Sequence, residues 1–333
     1  MTLFDYLIRS LKHCYILLSR KVYLNPVCDC DRQSANDKIY NLLMTGKPCM
    51  VSRFGTVELN CVNNYLCVNN KNVNFLKKCL DYIVDNTNTP WWNASHFHYM
   101  CMNAGVFPQK KDIYVRFSQR YLEDIPEIDL LGSFQYKEKF MPLKGNVEKV
   151  QLETLYPFFV DEPWTRCLKN KKVLVVHPFE STIRQQYEKR KLLFANPDIL
   201  PDFDLKILKA VQSAAGNKTS YESWFDALKY MQNEIDKIDF DICLLGCGAY
   251  GLPLAAYVKR IGKQAVHIGG GLQLLFGIKG KRWVEEYQSI WHYRPGVDIN
   301  TDYRQIFNEH WTFPLEEDVP MNAKVVENAC YWK

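Results

Sequence analysis

Between residues 172 and 268, short apolar runs alternate with amphipathic stretches, and the links between them are only a few residues long. Lys172-Val-Leu-Val-Val176, Asp204 to Val211, Asp241-Ile-Cys-Leu-Leu245 and Ala265-Val-His-Ile268 read as strands buried on both faces. A helix capped by Ser181 or Thr182 runs through Ile183, Tyr187 and Leu192. A second, from Trp224 to Ile238, follows Thr219-Ser-Tyr-Glu222, which has capping-box form. A third, Leu252 to Ile261, carries Pro253 in its first turn, where a missing N–H costs little. Apolar strands joined through helices must run parallel and be covered on both sides. The expectation is an α/β chain with a Rossmann-like, mostly parallel sheet and helices on both faces.

The first half is less regular. Pro48 to Arg53 reads as a strand feeding a turn at Gly55, with a helix from Thr56 through Val62 and Leu66; residues 85–110 carry no assignable period. The chain divides into an amphipathic helix (1–24), an N-terminal α/β half (25–165), a Rossmann-like half with a glycine-rich loop (166–300) and a tail packing on the body (301–333). Leu3, Phe4, Leu7, Ile8, Leu11, Tyr15 and Leu18 recur at helical spacing, but Arg9, Lys12, Arg20 and Lys21 interrupt them, so the segment is too charged to span a bilayer. It is a helix packed on the domain, or a basic amphipathic helix on an anionic membrane face across residues 1–21.

Charge narrows the partners. A formal net charge of +5, from 42 basic and 37 acidic residues, lacks the basic stripe of a nucleic-acid binder, and none is expected. The 12 cysteines include no Cys-x-x-Cys pair, and most sit in apolar runs, as reduced thiols do. That places the chain in the cytoplasm, with the inner face of the membrane within reach of its first helix.

Three constellations can carry chemistry. Gly246-Cys-Gly-Ala-Tyr-Gly251 is G-x-G-x-x-G directly after a strand and opening a helix: Gly246 for the turn, Gly248 for close approach of a diphosphate, Gly251 for helix packing, with Tyr250 between them. The next strand ends in His267-Ile-Gly-Gly-Gly271, without the acid that holds a dinucleotide ribose, which weakens a reading as an NAD(P)-dependent oxidoreductase. Gly269, Gly270, Gln273, Lys279, Lys281 and Arg282 would line a crevice at the carboxyl ends of the strands; the basic residues are equally suited to a solvated turn. Third, Ser52-Arg-Phe-Gly-Thr-Val-Glu58 delivers Arg53, Gly55, Thr56 and Glu58 to one strand–helix corner. There Glu58 is a metal ligand, a catalytic carboxylate or a partner of the helix dipole. His177 and Glu180 at a strand end, and Gln212 and Ser213 after the next strand, are further lining candidates. His96 and His98 near Trp91 and Trp92 make either an aromatic platform for a sugar or core packing.

Ser52 to Glu58 resembles the Arg-Phe-Gly-Asp-Gly-Glu signature of GT-D-type glycosyltransferases, a group typical of bacterial surface-polysaccharide pathways. Leu245 to Ala256, His267-Ile-Gly-Gly270 and Leu274 to Trp283 look like the same group, and the similarity extends from about residue 48 to 285. The resemblance implies a GT-D-like fold, a nucleotide-sugar donor, a glycan or lipid-linked acceptor, and a divalent cation (Mn²⁺ or Mg²⁺) held with Glu58. Thr56 stands where the family has Asp, so only one carboxylate of the pair remains and metal dependence is in question. A nucleotide-binding assembly protein without turnover is the remaining alternative.

Overall fold

The computed structural model describes residues 3–19, 26–92, 94–285, 302–326 and 329–333. Seven strands among them form one sheet: β1 Cys49–Arg53, β2 Leu130–Ser133, β3 Glu148–Gln151, β4 Lys172–His177, β5 Asp204–Lys209, β6 Ile242–Leu245 and β7 Gln264–His267, in the order β3-β2-β1-β7-β6-β4-β5. Every pair is parallel. Strands of both halves of the chain therefore share the sheet, which closes in the middle where Val51 lies opposite Val266.

Alternation along the strands sorts the core into two layers. Val51, Leu130, Val173, Val175, Leu244 and Val266 face one side, with Trp164, Phe158 and Trp311. Met50, Leu131, Leu174, Val176, Leu245 and Ala265 face the other, with Phe117, Trp224 and Leu254. The helices are α1 Leu3–Ser19, α2 Arg32–Met44, α3 Thr56–Asn69, α4 Phe75–Ile83, α5 Ala94–Met102, α6 Lys111–Asp124, α7 Glu180–Glu188, α8 Arg190–Leu193, α9 Trp224–Ile235, α10 Gly251–Arg260, α11 Leu272–Leu275 and α12 Lys281–Val284; both sheet faces are covered, and α1 packs on α4 in a cluster apart from the sheet. The fold is α/β and Rossmann-like, as the alternation predicts. All cysteines are free thiols, most of them buried.

Several local expectations need correction. Neither Ser181 nor Thr182 caps α7, which starts at Glu180 after Phe179. Thr182 instead gives its N–H and hydroxyl to the buried Asp318 of the C-terminal tail, at 2.8 and 2.6 Å. The helix ends at Glu188, before Leu192. α9 is capped by Ser223, which accepts from Asp226 N–H, rather than by a box at Thr219 to Glu222, and it stops at Ile235. β5 ends at Lys209, short of Val211. His96 and His98 lie on α5, inside the stretch where no period is legible.

Capping differs around the molecule. Asp31, Asn74 and Ser223 accept N–H groups at the starts of α2, α4 and α9. The N-cap positions of α3 and α10, Gly55 and Tyr250, make no side-chain cap. These two helices follow β1 and β6 and open at the carboxyl edge of the sheet, which is where such folds place their ligands.

Candidate functional site

A cleft of about 810 Å³ runs along that carboxyl edge. The loops after β1, β4, β5, β6 and β7 all reach it. Of the residues singled out by sequence, Arg53, Gly55, Thr56, Glu58, His177, Gln212, Ser213, Gly246, Gly248, Tyr250, Gly269, Gly270, Gln273 and Arg282 line it. Gly251, Lys281, Lys279 and Glu180 do not. A β-carbon on Gly251 would stand 2.3 Å from His267 Nε2, so that glycine seats the helix against the histidine. Lys281 lies 3.8 Å from Glu285, and Glu180 pairs with Arg184 at 3.0 Å.

Arg53 ends β1, and its guanidinium enters the cleft. Gly269, at φ +64, leaves room for it: a β-carbon there would stand 3.1 Å from Arg53 Nη1. The guanidinium carbon lies 5.3 Å from the Phe134 ring centroid. Its Nε is buried with no hydrogen-bond partner, and no carboxylate among the described residues pairs with it. Buried donors are normally paired, so this Nε lacks the partner such a group usually has.

Two helix openings face the same space. In α3 the first intrahelical bond is Leu59 N–H to Gly55 C=O, so the N–H groups of Thr56, Val57 and Glu58 precede the ladder. In the turn leading into α10 the first is Tyr250 N–H to Cys247 C=O, which places Cys247, Gly248 and Ala249 in the same position. Gly248 has φ +59, a conformation that glycine adopts without strain. A β-carbon on Gly246 would meet His177 Cδ2 at 2.7 Å and Gly269 O at 2.8 Å, so the glycine lets three loops close on one another.

The carboxylates in the lining are Glu58 and Glu153. The Glu58 side chain folds back over Gly55. Thr56 offers a neutral hydroxyl, and no group of three or more His, Cys, Asp or Glu among the described residues is arranged to hold a metal. Hard divalent cations take six or more oxygens and favour carboxylates, so this donor set does not make a metal site by itself.

Both cleft histidines are neutral. His177 accepts Phe179 N–H at Nδ1 (3.0 Å), which assigns its proton to Nε2, and burial pushes its pKa down to about 3. His267 bonds Ser52 Oγ through Nδ1 at 3.0 Å; burial first, then the neighbouring Arg53 charge, push it down to about 3. Ser213 and Tyr250 bond each other at 3.0 Å, and Ser213 also donates to Gly105 C=O at 2.6 Å, while Tyr250 stacks on Trp224. Gln273 spends its amide nitrogen on the carbonyls of Lys279 and Tyr331, at 3.1 and 3.2 Å, tying the glycine turn to the tail. Those three residues build the wall.

The sequence reading missed Glu153, Tyr156, Tyr303 and Tyr331, which also line the cleft. Gly271 and Gly270 are covered by Tyr156 and Tyr331: β-carbons there would stand 2.0 and 2.4 Å from ring atoms, so this glycine run packs beneath aromatic rings. Trp91, Trp92, His96 and His98 are not in the lining. Trp91 packs on Tyr82, and Trp92 on Tyr65 and Phe97. No protein-family model, curated protein or solved structure matches the chain.

Proposed function

We propose that the chain is a sugar-nucleotide-dependent glycosyltransferase acting in polysaccharide or glycolipid assembly. The observation that carries this reading is the guanidinium of Arg53, whose buried Nε has no hydrogen-bond partner, set in one cleft with the uncapped starts of α3 and α10. A diphosphate satisfies all three, because its oxygens accept from a guanidinium and from helix N-terminal N–H groups together. As the glycosyl bond breaks, negative charge grows on the departing diphosphate, and donors already aimed at it stabilise that state without reorganising. Glu58, in the same lining, is the residue assigned here to take the proton of an attacking acceptor hydroxyl. Tyr156 and Tyr331, in the same lining, offer ring faces to base or sugar.

One feature favours a second reading, nucleotide binding without turnover. Glu58 folds over Gly55 at the third position of α3, where a carboxylate also serves the helix start. A panel of nucleoside-diphosphate and nucleoside-monophosphate sugars, with and without Mn²⁺ or Mg²⁺, separates the two. Glycosyl transfer requires donor cleavage that Glu58→Gln abolishes while binding persists. Binding without cleavage by the unaltered chain supports the second reading, and absence of binding overturns both.

A further inference from the structure

His177 presents to the cleft a donor that no described residue takes up. It closes β4, and Ala210 N–H donates to its carbonyl at 3.1 Å, so the sheet edge fixes its backbone. At 2% exposed, the ring is part of the cleft wall. Phe179 N–H donates to Nδ1 at 3.0 Å, and the Phe179 ring meets the imidazole edge-on, with centroids 4.7 Å apart. A ring nitrogen that accepts carries no proton, so the neutral imidazole holds its proton on Nε2. Among the described residues nothing accepts from Nε2.

The direction of that donor is set by Gly246. Its added β-carbon would meet Cδ2, the ring atom bonded to Nε2, at 2.7 Å. β4 and β6 are neighbours with Val176 opposite Leu245, so His177 and Gly246 leave the sheet side by side. The Nε2 edge is thereby turned toward the turn that opens α10, where the N–H groups of Cys247, Gly248 and Ala249 precede the helical ladder. A buried donor and a helix opening converge, and both only donate. The ligand that complements them is rich in acceptors and negatively charged, as a phosphate is.

We propose that His177 is a diphosphate-binding residue, its neutral Nε2–H donating to a phosphate oxygen seated on the N–H groups of the α10 turn. The proposal rests on the nucleotide-sugar reading and adds to it a residue and a tautomer. Because burial holds the ring neutral, the bond should persist from about pH 6 to 8, where an ordinary histidine changes charge. Inorganic diphosphate is the probe, titrated calorimetrically into the full chain and two variants. His177→Asn keeps an acceptor near Nδ1 for Phe179 N–H and has nothing at Nε2. His177→Gln carries an amide N–H to the Nε2 position. The Asn variant should bind about tenfold or more weakly, and the Gln variant should recover to within about threefold of the unaltered chain. A residue that only held the Phe179 turn would give the reverse order. A crystal structure of the unaltered chain with diphosphate, independent of either variant, should place a phosphate oxygen about 3 Å from Nε2. Equal affinities of the two variants, the reverse order, or a phosphate beyond reach of Nε2 would overturn the proposal and leave the donor reading standing. Failure of the unaltered chain to bind diphosphate overturns it too, whereas the donor reading falls only when the panel of nucleotide sugars also fails to bind.

Discussion

The Glu58 carboxylate lies over the Cα of Gly55: a β-carbon on residue 55 would stand 2.0 Å from Oε2 and 2.5 Å from Oε1. The backbone there is extended (φ −76°, ψ 143°), so alanine meets no conformational strain and only the carboxylate has to give way. Gly55→Ala should therefore cost about 1 kcal/mol or less in urea unfolding, because the far end of one side chain can move. It should nonetheless displace Glu58 from the corner it shares with Arg53. Gly55→Ala and Glu58→Gln should depress donor cleavage similarly, and the double variant should fall no further than either alone, a non-additivity read from the three rates.

Gly246 is the opposite case. Its added β-carbon meets His177, the Gly269 carbonyl and Leu272 Cβ, all between 2.7 and 2.9 Å, and backbone cannot swing aside. Gly246→Ala should destabilise by about 1–3 kcal/mol, as overpacking does. Gly145→Ala, where nothing lies within 4 Å, should stay within about 0.5 kcal/mol. Denaturant midpoints of the two proteins check the contrast.

Arg53→Met separates binding from folding. The buried Nε makes no hydrogen bond and the guanidinium stands over the Phe134 ring face, so stability should hold within about 0.5 kcal/mol or rise. Affinity for a nucleoside diphosphate should fall about 10- to 100-fold, the worth of a charge-assisted hydrogen bond. Calorimetric titration together with a thermal melt reads both. A large loss of stability would mean that Arg53 holds the fold rather than a ligand.

How far this site is legible in sequence follows from what positions each residue. Arg53, Gly55, Glu58 and the loop from Gly246 sit at strand–turn–helix junctions, whose local grammar also places them at the carboxyl edge. Leu130-Leu-Gly-Ser133 and Glu148-Lys-Val-Gln151 are too short, and too broken by glycine or charge, to announce strands, and pairing beside β1 makes them so. Glu153 and Tyr156 reach the cleft only because β3 is in the sheet. Tyr303 and Tyr331 come from a tail that strand–helix alternation does not describe. Thr182 is not a cap because α7 starts two residues before it, and its oxygen accepts instead from Leu315 N–H, 133 residues away in sequence.

The neutral histidines make stability depend on pH. Burial holds His177 near 3, against 6.5 for an ordinary histidine. Between those values the unfolded chain takes up a proton that the folded chain refuses, so this contribution is whole above pH 6.5 and is lost as pH falls toward 3. From pH 7 to pH 5 the unaltered chain should lose about 2 kcal/mol more than His177→Gln. The difference in proton uptake on unfolding at pH 5 between the unaltered chain and His177→Gln provides the same answer. His267 adds the same sign, and Arg53→Met should shrink its share, because the Arg53 charge is one cause of its depression.

Thr56→Asp tests whether a second carboxylate at this corner would recruit a metal. Residue 56 opens α3, where an aspartate is favoured by about 0.3–1 kcal/mol and is opposed by repulsion from Glu58 two residues on. Without metal these offset each other, and the melt should move little. With two carboxylates at one corner a hard cation has ligands that Thr56 alone denies it. Mn²⁺ at about a hundredfold excess over its Kd should then stabilise the variant by about 2.7 kcal/mol, and should leave the melt of the unaltered chain where it was. A parent chain that Mn²⁺ stabilises as strongly as the variant would show that Glu58 gathers a cation from partners other than residue 56.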